Sequence, residues 1–124
     1  MNGDTTTHHE KFEVVEGRIR ILNLIATYLI ELNEYRAELY TALRFSKTTP
    51  SIKQNFFKSF RRFFDITSGV VEDEDLKADV EKWFQYYSDE DINIGIELSL
   101  KYQKALENRG IFPVFQMKIT PPYL

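Results

Sequence analysis

Residues Glu10–Ser46 read EKFEVVEGRIRILNLIATYLIELNEYRAELYTALRFS, and this stretch decides the fold of the chain. It contains no proline and a single glycine, Gly17, at which we expect either a kink or a close contact. Apolar residues recur every three or four positions, which is typical of an amphipathic helix. Unbroken, such a helix would be roughly 50 Å long at about 1.5 Å per residue. Two apolar stripes follow it, namely Phe12, Val15, Ile19, Leu22, Ala26 and Leu29, and Ile21, Ile25, Tyr28, Leu32, Tyr35, Leu39 and Ala42.

The two stripes predict two buried faces, so that this first helix lies between neighbouring elements. The preceding Thr7-His8-His9-Glu10 fits a capping box, in which the Thr7 hydroxyl accepts from a backbone N–H and the Glu10 carboxylate reaches back. Residues 1–6 are then expected to form a frayed N-terminus.

Three further helices are predicted after the first. Thr49 is a suitable N-cap, and Pro50 suits the first position of a second helix that runs to about Thr67. Its apolar arc contains five phenylalanines within nine residues, which favours a place in the core. The acidic run at 72–75 favours the start of a third helix, from about Asp73 to Tyr87.

The segment from Asp89 to Arg109 is ambiguous between helix and strand. Alternating apolar residues from Ile92 to Leu100 are typical of a strand. The Ser88-Asp89-Glu90-Asp91 sequence resembles a capping box, and Gly110 suits the end of a helix. The cap, the length and the terminal glycine together favour a helix.

Residues 111–124 contain three prolines, which exclude a helix, and five large apolar residues between Ile111 and Met117. We expect an extended tail packed on the helices or on a second subunit. The predicted fold class is therefore all-α: a small bundle of about four helices around one long N-terminal helix, with this tail packed on it.

Composition supports a single helical domain over residues 1–124. The apolar fraction is 43% and the net charge is −3, which argues against a general electrostatic grip on nucleic acid. The chain has no cysteine, so disulfides and thiolate metal ligands are excluded. No apolar run approaches the roughly 20 residues of a membrane span, and we expect a soluble, cytoplasmic protein.

Two acidic or histidine-containing stretches are candidates for metal ligands. His8, His9 and Glu10 are adjacent, whereas a metal site in a bundle needs ligands that converge from several helices. Asp89-x-Asp91-x-Asn93 begins like a calcium loop, but the pattern requires glycine and glutamate where this chain has Ile94 and Leu100. We therefore predict no metal site.

Catalytic and cofactor motifs are also not apparent in the sequence. Both histidines lie near the N-terminus, which disfavours a Ser-His-Asp arrangement, and the five glycines form no phosphate-binding loop. We expect no catalytic residue, no cofactor and no enzyme activity.

Charge is distributed unevenly along the chain. From Lys47 to Phe64 there are five basic residues and no acidic one, whereas Asp65 to Asp91 contains ten acidic and two basic residues. Lys58, Arg61 and Arg62 are therefore candidate contacts for phosphate groups or nucleic acid. The alternative interpretation is that these cations pair with the acidic third helix or face water.

No residue pattern in the sequence identifies a substrate, so the expected function is inferred from the large apolar surface of the predicted helices and tail. A chain of 124 residues has limited means to cover a two-faced helix, an apolar fourth segment and an apolar tail. We expect a non-catalytic helical module for protein–protein interaction or assembly that associates with itself. A small nucleic-acid-binding or regulatory protein acting through the second helix is the alternative.

Overall fold

The computed structural model describes residues 2–87 and 91–108, and in the first helix it describes the side chains of residue 17 and of residues from 20 onward. Four helices make up this part of the chain, which contains no strand: α1 (Asn2–Arg44), α2 (Pro50–Thr67), α3 (Glu74–Tyr86) and α4 (Ile92–Asn108). The predicted all-α bundle around a long N-terminal helix is confirmed. The predicted tail 111–124 and most of the box at 88–91 lie outside the described residues.

Helix α1 is longer than predicted. It begins at Asn2, so residues 2–6 are helical and Thr7 lies inside the helix, which corrects the predicted cap at Thr7. The helix continues through Gly17, and a Cβ added there would meet nothing within 4 Å. The predicted close contact at Gly17 is therefore wrong.

The end of α1 is fixed by a left-handed residue that is not glycine. Ser46 has a φ of 54°, while the N–H of Lys47 donates to Ala42 O (2.8 Å) and that of Ser46 donates to Leu43 O (3.3 Å). This pair of bonds is the Schellman motif, which supplies partners to carbonyls that the helix leaves open. The helix therefore stops at Arg44, two residues earlier than predicted.

Caps at the starts of α2 and α3 follow the sequence closely. At the start of α2, the Thr49 hydroxyl accepts from Ile52 N (3.2 Å), and Pro50 occupies the first helical position. At the start of α3, the Asp73 carboxylate accepts from Leu76 N (3.0 Å). Each bond satisfies one backbone donor of the first helical turn. The predicted limits of α2 are confirmed, and those of α3 differ by one residue at each end.

Over residues 20–44, α1 buries one broad face, which includes Ile25 and Ala42, whereas Ile30, Glu34 and Glu38 on the opposite side are exposed. The expectation of two separate buried faces is thus corrected, while the expectation that α1 lies beside neighbouring elements is confirmed, because both α2 and α4 contact it. Helix α4 is a helix, as preferred above: Ile92 and Ile96 are buried while Ile94 is exposed, a separation that a strand would not produce.

An aromatic cluster joins α2 to α3 and α4. Phe60 lies 4.9 Å from Phe84 and 6.2 Å from Tyr102 between ring centroids, and most of these pairs are tilted or edge-on. Such geometries are favoured for aromatic rings beyond the area that they bury. The rings that form the cluster are Phe56, Phe57, Phe60, Phe63, Phe64, Trp83, Phe84, Tyr87 and Tyr102.

Gly95 allows α4 to approach α3. A Cβ added at Gly95 would lie 2.1 Å from Cζ2 of Trp83, a rigid ring held in place by a hydrogen bond from its Nε1 to Asp91 O (3.0 Å). The indole is packed on its other side by Phe56 and Phe60 and has little room to move. Only glycine fits this position without a shift of one helix.

We predict that Gly95→Ala lowers the free energy of unfolding by about 1–3 kcal/mol, because the added methyl overpacks the contact with Trp83. Gly17→Ala is the matched control: it is also helical, meets no atom, and should be neutral or stabilising by up to about 1 kcal/mol. Chemical denaturation of both variants measures the difference. Equal stability of the two variants would contradict the close packing of α3 and α4.

Candidate functional site

A buried arginine joins α1 to α4. Arg36 has 0% exposure, and its guanidinium donates to Gln103 Oε1 (2.6 Å), Ser99 Oγ (3.2 Å) and Asn33 Oδ1 (3.4 Å). Ser99 in turn donates to Ile96 O (2.7 Å). A buried charge is costly unless its donors are satisfied, and these side chains supply acceptors for Nη1 and Nη2. The cluster is enclosed by the bundle, so we assign it to structure rather than to chemistry on a ligand.

A second buried polar contact joins α2 to α4. The Thr67 hydroxyl donates to Phe63 O (2.6 Å), which leaves the Tyr102 hydroxyl as donor in its 2.6 Å bond to Thr67. Tyr102 is fully buried among rings. Burial, with the nearby Asp65 carboxylate as a smaller cause, raises the pKa of Tyr102 from 10.0 to about 12.

This raised pKa predicts alkaline destabilisation. The folded protein keeps the Tyr102 proton up to a higher pH than the unfolded chain, so the stabilisation is complete below pH 10 and is lost as the pH rises through about 12. We expect a loss on the order of 2 kcal/mol over that range. In Tyr102→Phe this loss should be smaller, whereas the exposed Tyr86→Phe should behave like the unaltered protein. Urea unfolding at a series of pH values tests this, and identical pH profiles for the two variants would contradict it.

The predicted basic site lies on one exposed face of α2. Lys58, Arg61 and Arg62 are all exposed, and their spacing places them on one side of the helix. Lys58 makes no ion pair with the described part of the chain. The structure therefore brings the three predicted residues together.

Two of these cations already have intramolecular partners. Arg61 pairs with Asp65 on its own helix (3.3 Å) and lies over the Phe84 ring at 5.1 Å. Arg62 pairs with Glu31 on α1 and lies 5.8 Å from the centre of the Tyr28 ring. The carboxylates that pair with these arginines come from α2 and α1, not from the acidic third helix. A phosphate would have to compete with these contacts.

Two grooves border α3. The first groove, of about 340 Å³, lies between α3 and α4 and has apolar walls with two carboxylates and a lysine. The second groove, of about 430 Å³, lies between α2 and α3 and is more polar. The residues that line the groove between α3 and α4 are Asp79, Lys82, Trp83, Tyr86, Asp91, Ile94 and Leu98. Both are wide open to solvent, and neither gathers a nucleophile with a base at catalytic distance.

The most unusual surface is an apolar continuation of the α1 core face. Residues 2–24 of α1 are here called the arm, and Ile25 and Ala26, which follow it directly, are buried. Ile21, Leu22 and Leu24, here called the arm stripe, are 58%, 42% and 44% exposed. Ile21 lies one turn before Ile25, and Leu22 lies two turns before Leu29, so the stripe faces the side that the bundle covers further along. The sequence predicted Ile21 and Leu22 to be buried, and this is corrected.

Neither a metal centre nor a membrane span is found in the described part of the chain. Among the side chains that the structure describes, no three His, Asp or Glu residues are grouped as metal ligands. The side chains of His8 and His9 lie outside the described set. None of the helices described has the length and apolarity needed to cross a bilayer.

The two features that matter most were partly readable from sequence. Arg36 lies midway between Leu29 and Leu43, seven residues from each, so the helical period places it on the buried face. That position was the available signal for a buried arginine. The arm stripe was recognised as apolar, but its exposure depends on where α2 ends relative to α1, which no local pattern contains.

Comparison of the chain with protein-family models, with curated proteins and with solved structures finds no match in any of the three. The surfaces described above are therefore the basis for a functional proposal.

Proposed function

We propose that this protein is a non-catalytic helical assembly module that associates with copies of itself through the arm stripe. The observation that supports this proposal is the exposure of Ile21, Leu22 and Leu24 on the face that α1 otherwise buries. Scattered exposed apolar residues are ordinary on a protein surface, but three within four positions form a patch. Because each of these side chains is about half exposed, covering the remainder stabilises by about 1 kcal/mol each, which favours a partner that covers them.

The partner that fits the stripe is another helix. Ile21, Ile25, Tyr28, Leu32 and Tyr35 recur at spacings of four and three, which is the spacing of helices that pack side by side. Within the bundle this face packs against other helices, and at Ile21 it is exposed. Two arms related by a two-fold axis would each supply the surface that the other lacks, since in a symmetric dimer the same patch serves both copies.

The arm contributes length as well as apolarity. Its 23 residues correspond to about 35 Å of helix, whereas α2 is only about 27 Å long. The neighbouring helices therefore cover only part of the length of α1, toward its C-terminal end. A rod with an apolar face is suited to assembly and does not resemble a substrate-binding cleft.

We predict that Ile21→Asn with Leu24→Asn raises the dissociation constant of self-association at least about tenfold, because two apolar anchors are lost. Ile30→Asn is the matched control: Ile30 is 46% exposed on the same helix, but on the outward face, and its replacement should leave association unchanged. Sedimentation equilibrium measures both. If the double variant associates as well as the control, the arm stripe is not the interface.

A nucleic-acid-binding function remains the second proposal, because Lys58, Arg61 and Arg62 share one exposed face. It predicts retention of single-stranded or duplex nucleic acid at low salt that weakens as salt rises. Changing the three residues to Ala should then weaken binding at least tenfold, whereas changing the exposed Lys101 and Lys104 on α4 to Ala should have a small effect. Fluorescence anisotropy tests this, and no binding at low salt would refute it.

A further inference from the structure

We propose that the groove between α3 and α4 is a docking site for a basic amphipathic helix of a partner protein. This groove is separate from the arm stripe, so the proposal goes beyond self-assembly and does not depend on it. Three properties of the groove support the assignment, namely its shape, its exposed apolar walls and its charge.

The groove has one wall from each of two helices. Asp79, Trp83 and Tyr86 recur at spacings of four and three on α3, and Ile94 and Leu98 are four residues apart on α4, so each wall follows one face of its helix. The α3 wall is about 10 Å long, roughly two helical turns. A small-molecule site encloses most of its ligand, whereas this groove is wide open to solvent. Its shape therefore suits a third helix laid between α3 and α4.

Exposed apolar side chains stand on both walls of the groove. Tyr86 is 67% exposed on α3, and Ile94 is 51% exposed on α4. Trp83 forms a buried floor, 6% exposed, and its indole is held by the hydrogen bond to Asp91 O and by the close approach of Gly95. Because the floor is already fixed, a partner that covers these side chains requires little reorganisation of the groove.

The charge of the groove favours a basic partner. Asp79 and Asp91 line it, and Lys82 is the single cation among its lining residues. Asp79 makes no ion pair with the described part of the chain, and its side chain is exposed. A lysine or arginine of a partner that lies in the groove can therefore pair with Asp79 without displacing an existing ion pair.

The acidic stretch around the groove extends the same preference over a longer range. Residues 65–91 contain ten acidic and two basic side chains. One of these two cations, Lys77, already pairs with Glu74 (3.0 Å), which leaves Lys82. Complementary charge speeds the encounter with a basic partner and disfavours an acidic one. A helix whose apolar face is flanked by Lys or Arg matches both the walls and the charge of the groove.

Trp83 is the only tryptophan of the chain, so its fluorescence reports on the groove directly. The probes are three synthetic helical peptides of about 14 residues, roughly four turns, without Trp or Tyr. They share one leucine face and carry Lys, Gln or Glu beside it. We expect the Lys peptide to change the Trp83 emission and to bind at least about fivefold more tightly than the Gln peptide at low salt, a preference that falls as salt rises. The Glu peptide should bind most weakly. Equal binding of the three peptides, or no change in emission with the Lys peptide at low salt, would overturn the proposal.

Charge variants locate the bound peptide. Asp79→Lys should weaken binding of the Lys peptide at least about threefold, whereas Glu81→Lys makes the same charge change on the same helix outside this groove and should have a smaller effect. Lys82→Gln should strengthen binding about twofold, a gain that misfolding does not produce. Equal effects of Asp79→Lys and Glu81→Lys, or no gain from Lys82→Gln, would place the peptide elsewhere.

An apolar variant separates this site from the assembly surface. Ile94→Asn should weaken binding of the Lys peptide about fivefold, while Ile30→Asn, which replaces an exposed isoleucine of α1, should not. Unchanged peptide binding in Ile94→Asn would overturn the proposal. Loss of self-association in Ile94→Asn by sedimentation equilibrium would show that the groove holds a second copy and would overturn the assignment to a basic partner. If the peptide binds as expected but the unaltered protein does not associate, the proposed assembly function fails while this site stands.

Discussion

Burial of the Arg36 charge is the constraint on which the arrangement of the helices depends. A guanidinium removed from water is tolerated only where acceptors meet its donors, and here Ser99 and Gln103 of α4 meet it. Any slide or rotation of α4 along α1 would separate these atoms. The apolar contacts of the bundle are less selective, because neighbouring apolar residues substitute for one another more readily. Arg36 therefore sets the register of the two helices.

The packing of the aromatic core stabilises the bundle once Arg36 has set the register of α1 and α4. Phenylalanines of α2 fill the space between α1, α3 and α4, while Gly95 brings α4 against the indole of Trp83. Tyr102 adds a second polar link, to the end of α2. The buried residues of α1 that the structure describes begin at Ile25, whereas Ile21, Leu22 and Leu24 before it are exposed. The exposure of the arm stripe is thus a consequence of unequal helix lengths.

The sequence predicted those parts of the structure that local chemistry controls. The start of α2 was predictable because Thr49 and Pro50 are specific to a helix start, and α4 was identified as a helix despite its alternating apolar residues. The start of α1 was missed because Thr7 can cap a helix or lie within one. The exposure of Ile21 and the partners of Arg62 depend on how helices of different length lie together, which is a property of the tertiary structure. For the same reason the basic residues could be chosen from sequence, but their ion pairs could not.

The central claim is that the arm stripe drives assembly of this chain. The most direct measurement is the solution mass of the unaltered protein by light scattering over a wide range of concentration, at low and high salt, with absorbance at 260 and 280 nm recorded together. The account predicts a mass that rises above 14.7 kDa with concentration, independently of salt and without bound nucleic acid. A mass of 14.7 kDa at every concentration, or a larger species with excess absorbance at 260 nm that high salt removes, would contradict it.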